Sequence, residues 1–264
     1  MASFMREVEF QTGGKSFKYP DLYMEFEINF KDDSEGNVGY ISIYNLSRKS
    51  IDQIQKKATA TLRAGYEGDV GTLLPAVIED VHTRYDRVDK ETEIVLGDHT
   101  SPWLQHSINQ TWRPGTTAQR VADDIIGQLP FDSPGIEVSD DITYTKGKTF
   151  STTSKTALEE LAGDIDAKLH VGRGTIYFRD KPDVTQPSVF LSKDTGLISI
   201  PEKGTKDEDV IWDVKCLLNY RIWADSVIQI ESKSINGLYR VIDGQHILSG
   251  NDYMTEMEVT EYGA

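Results

Sequence analysis

Leu22-Tyr23-Met24-Glu25-Phe26-Glu27-Ile28-Asn29-Phe30 is the stretch that decides the fold class. Leu22, Met24, Phe26, Ile28 and Phe30 fall on one side of an extended chain, and Tyr23, Glu25, Glu27 and Asn29 on the other. A period of two marks a strand with one face against a core and one against water. Outward from it, Asp32 to Asn37 is a polar turn and Val38 to Leu46 resumes the extended pattern. Ser47 suits a helix N-cap, because its hydroxyl oxygen can accept from a free amide of the first turn. Ile51, Ile54 and Ala58 follow at helical spacing, and Thr59 to Tyr66 is extended again. Gly65, Gly68 and Gly71 punctuate a loop, and Val77 to Val81 and Glu91 to Leu96 read as strands joined at Arg87 to Lys90. Residues 1–98 therefore read as a small barrel or sandwich with one helix tucked in.

The middle of the chain changes character. Thr116 with Gln119 has the spacing of a capping box. Ala118, Val121, Ala122, Ile125, Ile126 and Leu129 form one helical stripe, stopped by Pro130. Thr149 to Thr153 is extended. Leu158, Leu161, Ala162, Ile165 and Leu169 predict a second helix, and Leu169 to Phe178 a hairpin about Gly172-Arg173-Gly174. A looser stretch with Lys181-Pro182-Asp183 and Pro187 leads to a charged loop over Pro201 to Asp209. Beyond it the chain reads as strand over Val210–Leu218, Ser226–Ser232, Gly237–Ile242 and Met254–Thr260, with Asn236-Gly237 as a hairpin-turn signal. The expected fold class is α+β, mainly β. A barrel-like domain over 1–98 and a second over 201–264 flank an α+β insert over 99–200. The two ends share no close sequence repeat, so any likeness between them is structural.

Composition sets limits on function. The chain has 264 residues, enough to bury roughly three quarters of its unfolded surface. Its hydrophobic fraction of 38% suits an elongated shape or a subunit that completes its burial against neighbours. The formal net charge of −15 repels phosphate and argues against sequence-specific nucleic-acid binding. The same charge could line a path along which DNA passes without sticking, or simply confer solubility. One cysteine, Cys216, allows no internal disulfide and sits in an apolar run, as an inert core residue would. No signal peptide and no run of roughly 20 apolar residues is present, so folding in a cytosol without membrane insertion is expected, and the sequons at Asn45 and Asn109 carry no meaning.

No constellation points to chemistry. His82, His99, His106, His170 and His246 include no pair three or four residues apart, so a zinc site has little support. His246, beside a strand, reads as a packed or hydrogen-bonding residue. Asp123-Asp124, Asp140-Asp141 and Asp207-Glu208-Asp209 are adjacent acids that point in different directions. A glycosidase needs two carboxyls about 5 to 10 Å apart in a cleft, and a chain this rich in acids yields such pairs by chance. Gly65, Gly68 and Gly71 lack the Lys-Ser/Thr of a phosphate loop, and no Gly-x-Ser-x-Gly elbow exists. Trp103, Trp112, Trp212 and Trp223 suit core or interface anchors better than a sugar-stacking ladder. The sequence thus assigns no catalytic, cofactor-binding or metal-ligating residue.

Several stretches together resemble a known family. IYNLS at Ile43 to Ser47 and LRAGYEGDVGTLL at Leu62 to Leu74 are similar to the opening domain of phage tail hub proteins, the late-control and baseplate-hub families of phages and phage tail-like bacteriocins. WRPGTTAQRVADDI at Trp112 to Ile125 and TALEELAGDIDAKLHVGRGTIYF at Thr156 to Phe178 match the insert. VKCLLNYRIWADSVIQIES at Val214 to Ser232 and NGLYRVIDGQHI at Asn236 to Ile247 match best. The resemblance implies two tail-tube-like β-barrel domains per chain and a homotrimer that forms a ring of six similar barrels. It implies docking on the six-fold tail tube or a distal tail protein on one side, and on a three-fold spike or central fibre on the other. The tape measure protein is a further expected partner. The particle, a virion tail or a bacteriocin, would be assembled in the bacterial cytoplasm. Physically, an open sheet edge invites another strand, and pairing edges around a closed ring ends the assembly. Pro75 departs from the family pattern in a stretch that is often aromatic or Gly-rich, and suits an edge or a strand start. Some relatives continue into a cell-wall hydrolase, for which this chain has no room. A cell-wall glycosidase or peptidase of the same tail, and a carbohydrate-binding module, are the competing functions.

Overall fold

The computed structural model describes residues 5–32, 37–86, 88–97, 106–129, 131–133, 135–179, 187–206 and 209–263. Two compact units emerge: Met1–Asp32, Asn37–Asp98 and Asp183–Ala264 form one, and Asp33–Gly36 with His99–Pro182 the other. His99, Trp103, Pro130 and Asp207-Glu208, singled out above, lie outside the described residues.

The first unit is built on one large, almost wholly antiparallel sheet. Its strands from the first third are β1 (Arg6–Thr12), β2 (Lys15–Tyr19), β3 (Met24–Lys31), β4 (Val38–Tyr44), β5 (Thr59–Tyr66), β6 (Asp69–Asp86) and β7 (Asp89–Gly97). The alternation over residues 22–30 is realised as expected: Met24, Phe26, Ile28 and Phe30 are buried, and Glu25, Glu27 and Asn29 face away from the core. Helix α1 is a single turn, Arg48–Ile51, shorter than the spacing of Ile51, Ile54 and Ala58 predicts. Its N-cap is Ser47, whose Oγ accepts from the Ser50 amide at 3.1 Å. The three glycines mark a tight hairpin, not a loop: Gly65 and Gly71 lie within β5 and β6, and only Gly68, with φ of 84°, is in the turn. Pro75 is paired with Thr61 of β5 at a point where β7 has not yet joined β6, so its missing N–H faces an edge.

The last part of the chain adds β15 (Phe190–Leu191), β16 (Glu202–Lys206), β17 (Asp209–Leu217), β18 (Val227–Glu231), β19 (Asn236–Ser249) and β20 (Asp252–Glu261) to the same sheet. The stretch from Ser188 to Leu197, expected in the insert, belongs here: β15 pairs β18, and Leu197 bridges Cys216. The hairpin turn before β19 falls at Ser232–Ile235, not at Asn236-Gly237. The Ser232 hydroxyl accepts from the Ser234 and Ile235 amides and closes the turn one step early.

Along its central path the sheet runs β16-β17-β20-β19-β3-β4-β7-β6. This path contains the same arrangement twice. In the first third the chain makes hairpin β3–β4, then hairpin β6–β7, in the spatial order β3-β4-β7-β6. In the last third it makes hairpin β16–β17, then hairpin β19–β20, in the order β16-β17-β20-β19. The third strand of each set is long and carries a bulge early in its pairing with the fourth, between Ile78 and Asp80 in β6 and between Val241 and Asp243 in β19. The two sets meet where β19 pairs β3, with Asp243 opposite Lys31, Gln245 opposite Asn29 and Ile247 opposite Glu27.

One hydrophobic core spans both thirds, from Val8, Phe10 and Phe30 to Ile228, Val241 and Val259. Polar contacts tie the thirds further. The Tyr253 hydroxyl of β20 accepts from the Gly65 amide at 2.8 Å and lies 2.7 Å from the Gly65 carbonyl. Arg221 grips Asp69 with two N–H groups at 2.7 and 2.8 Å. Gly244 is required at the β19–β3 junction, because a Cβ there would lie 2.3 Å from the Glu256 carbonyl and 2.7 Å from the Phe30 ring.

The second unit contains β8 (Ser107–Trp112), β9 (Thr116–Thr117), β10 (Ile136–Glu137), β11 (Thr143–Tyr144), β12 (Lys148–Thr153), β13 (Lys168–Gly172) and β14 (Thr175–Arg179). Two helices, α2 (Ala118–Ile126) and α3 (Ser154–Asp164), pack on them through the predicted apolar stripes. The capping box is replaced by a different cap. Thr117 accepts from the Arg120 amide, Asp141 accepts from the Gln119 amide at 3.0 Å, and the Gln119 side chain turns to the Ile136 carbonyl. The β13–β14 hairpin turns at Arg173 and Gly174, both with positive φ, as a tight two-residue turn demands.

Candidate functional site

Pleating gives the β16-to-β6 path one face on the core and one facing away from it. The second face is laid out in cross-strand rows. One row carries Glu202, Asp213, Glu258, Asp243 and Lys31, and the next Lys215, Glu256, Gln245 and Asn29. A middle row carries Leu217, Met254, Ile247, Glu27, Tyr40, Val95 and Asp80, and two shorter rows carry Glu25, Ser42, Glu93 and His82, then Tyr44, Glu91 and Arg84. Acidic side chains outnumber basic ones on this face.

Three cations on or beside this face, Lys206, Arg84 and Lys215, are committed to carboxylates. Lys206 Nζ sits 2.6 Å from both Asp243 and Glu258, and these bonds raise its pKa. Arg84 meets Glu91 through Nε at 2.9 Å and holds the Glu91 carboxyl below its usual value. Lys215 lies 2.7 Å from Glu256 and does the same there. Burial, with Glu25 and Glu91 nearby, pushes the Tyr44 phenol up to about 12. Glu25, Glu27 and Asp213 are left to give the face its acidic field. Such a face repels a phosphate backbone instead of binding it.

The residues weighed for chemistry are dispersed. His246 is fully buried, with Nδ1 2.8 Å from Thr255 Oγ1 and Nε2 3.0 Å from the Ile222 carbonyl. His82 pairs with Asp80 on the polar face, His106 contacts Ser154 in the second unit, and His170 is buried there. Cys216 is buried in β17 and its thiol is pushed up to about 12 by desolvation. Asp124 accepts from the Trp112 indole and Asp141 caps α2, so the adjacent acids of the insert have local structural work. Among the described residues no group of three or more His, Cys, Asp or Glu side chains could hold a metal ion. A cavity of about 130 Å³ lined by Tyr66, Asp69, Leu191 and Tyr220 is smaller than the roughly 300 Å³ at which small-molecule sites begin. Trp112 and Trp223 are buried, as anchors would be. No helix among the described residues is long and apolar enough to cross a membrane.

No protein-family model and no curated protein matches the chain. Solved structures do. The tail protein from Neisseria meningitidis MC58 superposes with a TM-score of 0.73 at 10% identity, over 98% of each chain. The 43 kDa tail protein of prophage MuSo2 from Shewanella oneidensis gives 0.71 at 10% identity, over 97% of each chain. The chain has the fold of a phage tail protein. A third similar structure is the E. coli c3393 protein, a type VI secretion component described as structurally similar to the T4 bacteriophage tail proteins gp27 and gp5. It gives 0.67 at 9% identity, over 96% of this chain and 77% of that one. This phage-tail fold is mainly β, with a large antiparallel sheet. What sequence reasoning missed is the repeated strand order and the acidic face it builds. The alternation at residues 22–30 pointed to one such face, but pairing between distant strands is not legible in local patterns.

Proposed function

We propose that the chain is a structural hub of a phage-type tail, without catalysis, acting as a symmetry adaptor. Each four-strand set with its outer strands serves as one tail-tube-like barrel domain, the first within 1–98 and the second within 183–264, and residues 99–182 form the insert. Three copies close into a ring of six such units, which docks on the six-fold tail tube or distal tail protein and presents three-fold symmetry to a spike or central fibre. The acidic sheet face lines a channel through which DNA and the tape measure protein pass. The particle is a virion tail or tail-like bacteriocin put together in the bacterial cytoplasm. The observation that carries this reading is the repeat of one strand order, with a bulge at the same place, in two parts of one chain. The fold shared with phage tail proteins supports it. Light scattering on the chain mixed with its tail neighbours tests it: particles containing three copies are expected, and a strictly monomeric chain under those conditions refutes it.

A further inference from the structure

Both ends of the central sheet path are unpaired among the described residues. At one end β16 pairs only β17, and at the other the second half of β6, beyond Lys57's bond to the Ile78 carbonyl, pairs only β7. The repeat aligns these ends with the junction inside the chain. The bulges equate Asp80 of β6 with Asp243 of β19, so that His82 corresponds to Gln245 and Arg84 to Ile247. Pairing through β17 and β4 equates Glu202 of β16 with Glu27 of β3, Gly204 with Asn29 and Lys206 with Lys31. Inside the chain Asp243 faces Lys31. The equivalent contact between copies would put Asp80 opposite Lys206.

We propose that β6 of one copy pairs antiparallel with β16 of the next, with Asp80 opposite Lys206, His82 opposite Gly204 and Arg84 opposite Glu202. This rests on the ring proposed above and names the surfaces that close it. Strand sense agrees. Every neighbour pair from β16 to β6 is antiparallel, so the two ends of the path run in opposite senses. Rotation about a ring axis keeps each strand's sense along that axis, and β6 therefore meets the next β16 antiparallel. Charge favours the same register, with Asp80 also held by Lys56 and Lys206 by Asp243 and Glu258 within the chain. Moving it by one pleat repeat in one direction sets His82 against Lys206, and in the other leaves Arg84 against Ile200 and Asp80 against Gly204. Only the proposed register opposes both acid–base pairs. It also carries the exposed Tyr85 and Val88, at 76% and 93%, towards Ile198 and Ile200, at 51% and 54%. In the free chain the charges on both edges discourage indiscriminate strand addition.

The test is a double variant, Thr83→Cys with Lys203→Cys, in the full chain under oxidation at increasing concentration. Opposed Cα atoms in an antiparallel pair lie about 4.5–5.5 Å apart, within disulfide reach. The native thiol, Cys216, is buried and does not compete. Expected is a covalent ladder that stops at three copies, with no ladder from either single variant. A second arm needs no new cysteine: Arg84→Glu should raise the concentration needed for assembly about tenfold, and adding Glu202→Arg should restore it. A three-copy particle without the ladder overturns the edge assignment and leaves the ring intact. A ladder that runs past three, or no assembly at any concentration, overturns the ring and this pairing with it.

Discussion

The imidazole of His246 lies beneath the β19–β3 junction, with rings of Phe30 and Trp223 centred 4.9 and 5.6 Å away. Its Nε2 donates to the Ile222 carbonyl, which leaves Nδ1 to accept from the Thr255 hydroxyl in the neutral ring. His246→Ala would open a cavity and strand both partners, at a cost of about 2–4 kcal/mol in urea unfolding. Gly244→Ala would force a methyl against the Glu256 carbonyl and destabilise by about 1–3 kcal/mol in the same assay, although the residue added is small. Cys216, its thiol pushed up to about 12, should stay unreactive to thiol reagents in the native chain and react once urea unfolds it. These roles divide by legibility. Cys216 was readable as a core residue from its apolar run, and His246 as a packed or hydrogen-bonding residue from its place beside a strand. The need for glycine at 244 was not, because it arises from β20 and from Phe30, more than two hundred residues away in sequence.

Strands were legible wherever alternation was strong. Residues 91–96 and 254–260 fall inside β7 and β20, and the alternating stretch 22–30 enters β3 at Met24. Ends were less so: the Ser232 hydroxyl turns the chain before Asn236-Gly237 is reached, and Thr117 outcompetes Thr116 as the cap of α2. Local propensity proposes several turn and cap residues, and the one whose side chain reaches free amides prevails. The β6–β7 hairpin has a measurable electrostatic contribution. Hydrogen bonds from Arg84 depress the Glu91 pKa below 4.5, so that stabilisation is complete above the unfolded value and fades as pH falls through the folded one. Arg84→Gln should therefore lower stability only slightly at pH 7, since Arg84 is largely exposed and its pair is screened by solvent. The gap to the native chain should narrow as the pH drops below 4.5. A gap that stays constant with pH would mean that the pair contributes nothing in the folded state.

At the scale of the molecule, the sequence suggested a strand-rich beginning and end around an α+β insert, but not that the two ends repeat one strand order in a single sheet. That likeness has little counterpart in residue identity: Asp243 and Asp80 correspond, as do Lys206 and Lys31, yet Gln245 answers to His82 and Leu217 to Tyr44. Sheet order is carried by burial and pairing, which many residues satisfy equally well. The proposed absence of catalysis predicts no clearing in a peptidoglycan zymogram, and clearing abolished by a single Asp or Glu change would establish the hydrolase instead. The ring itself is tested most directly by end-on electron-microscope averages of the assembled particle. The account predicts six lobes of similar size around an open, acid-lined hole, alternating in detail so that the true symmetry is three-fold. Averages with no central hole, or with any symmetry other than three-fold, would contradict it.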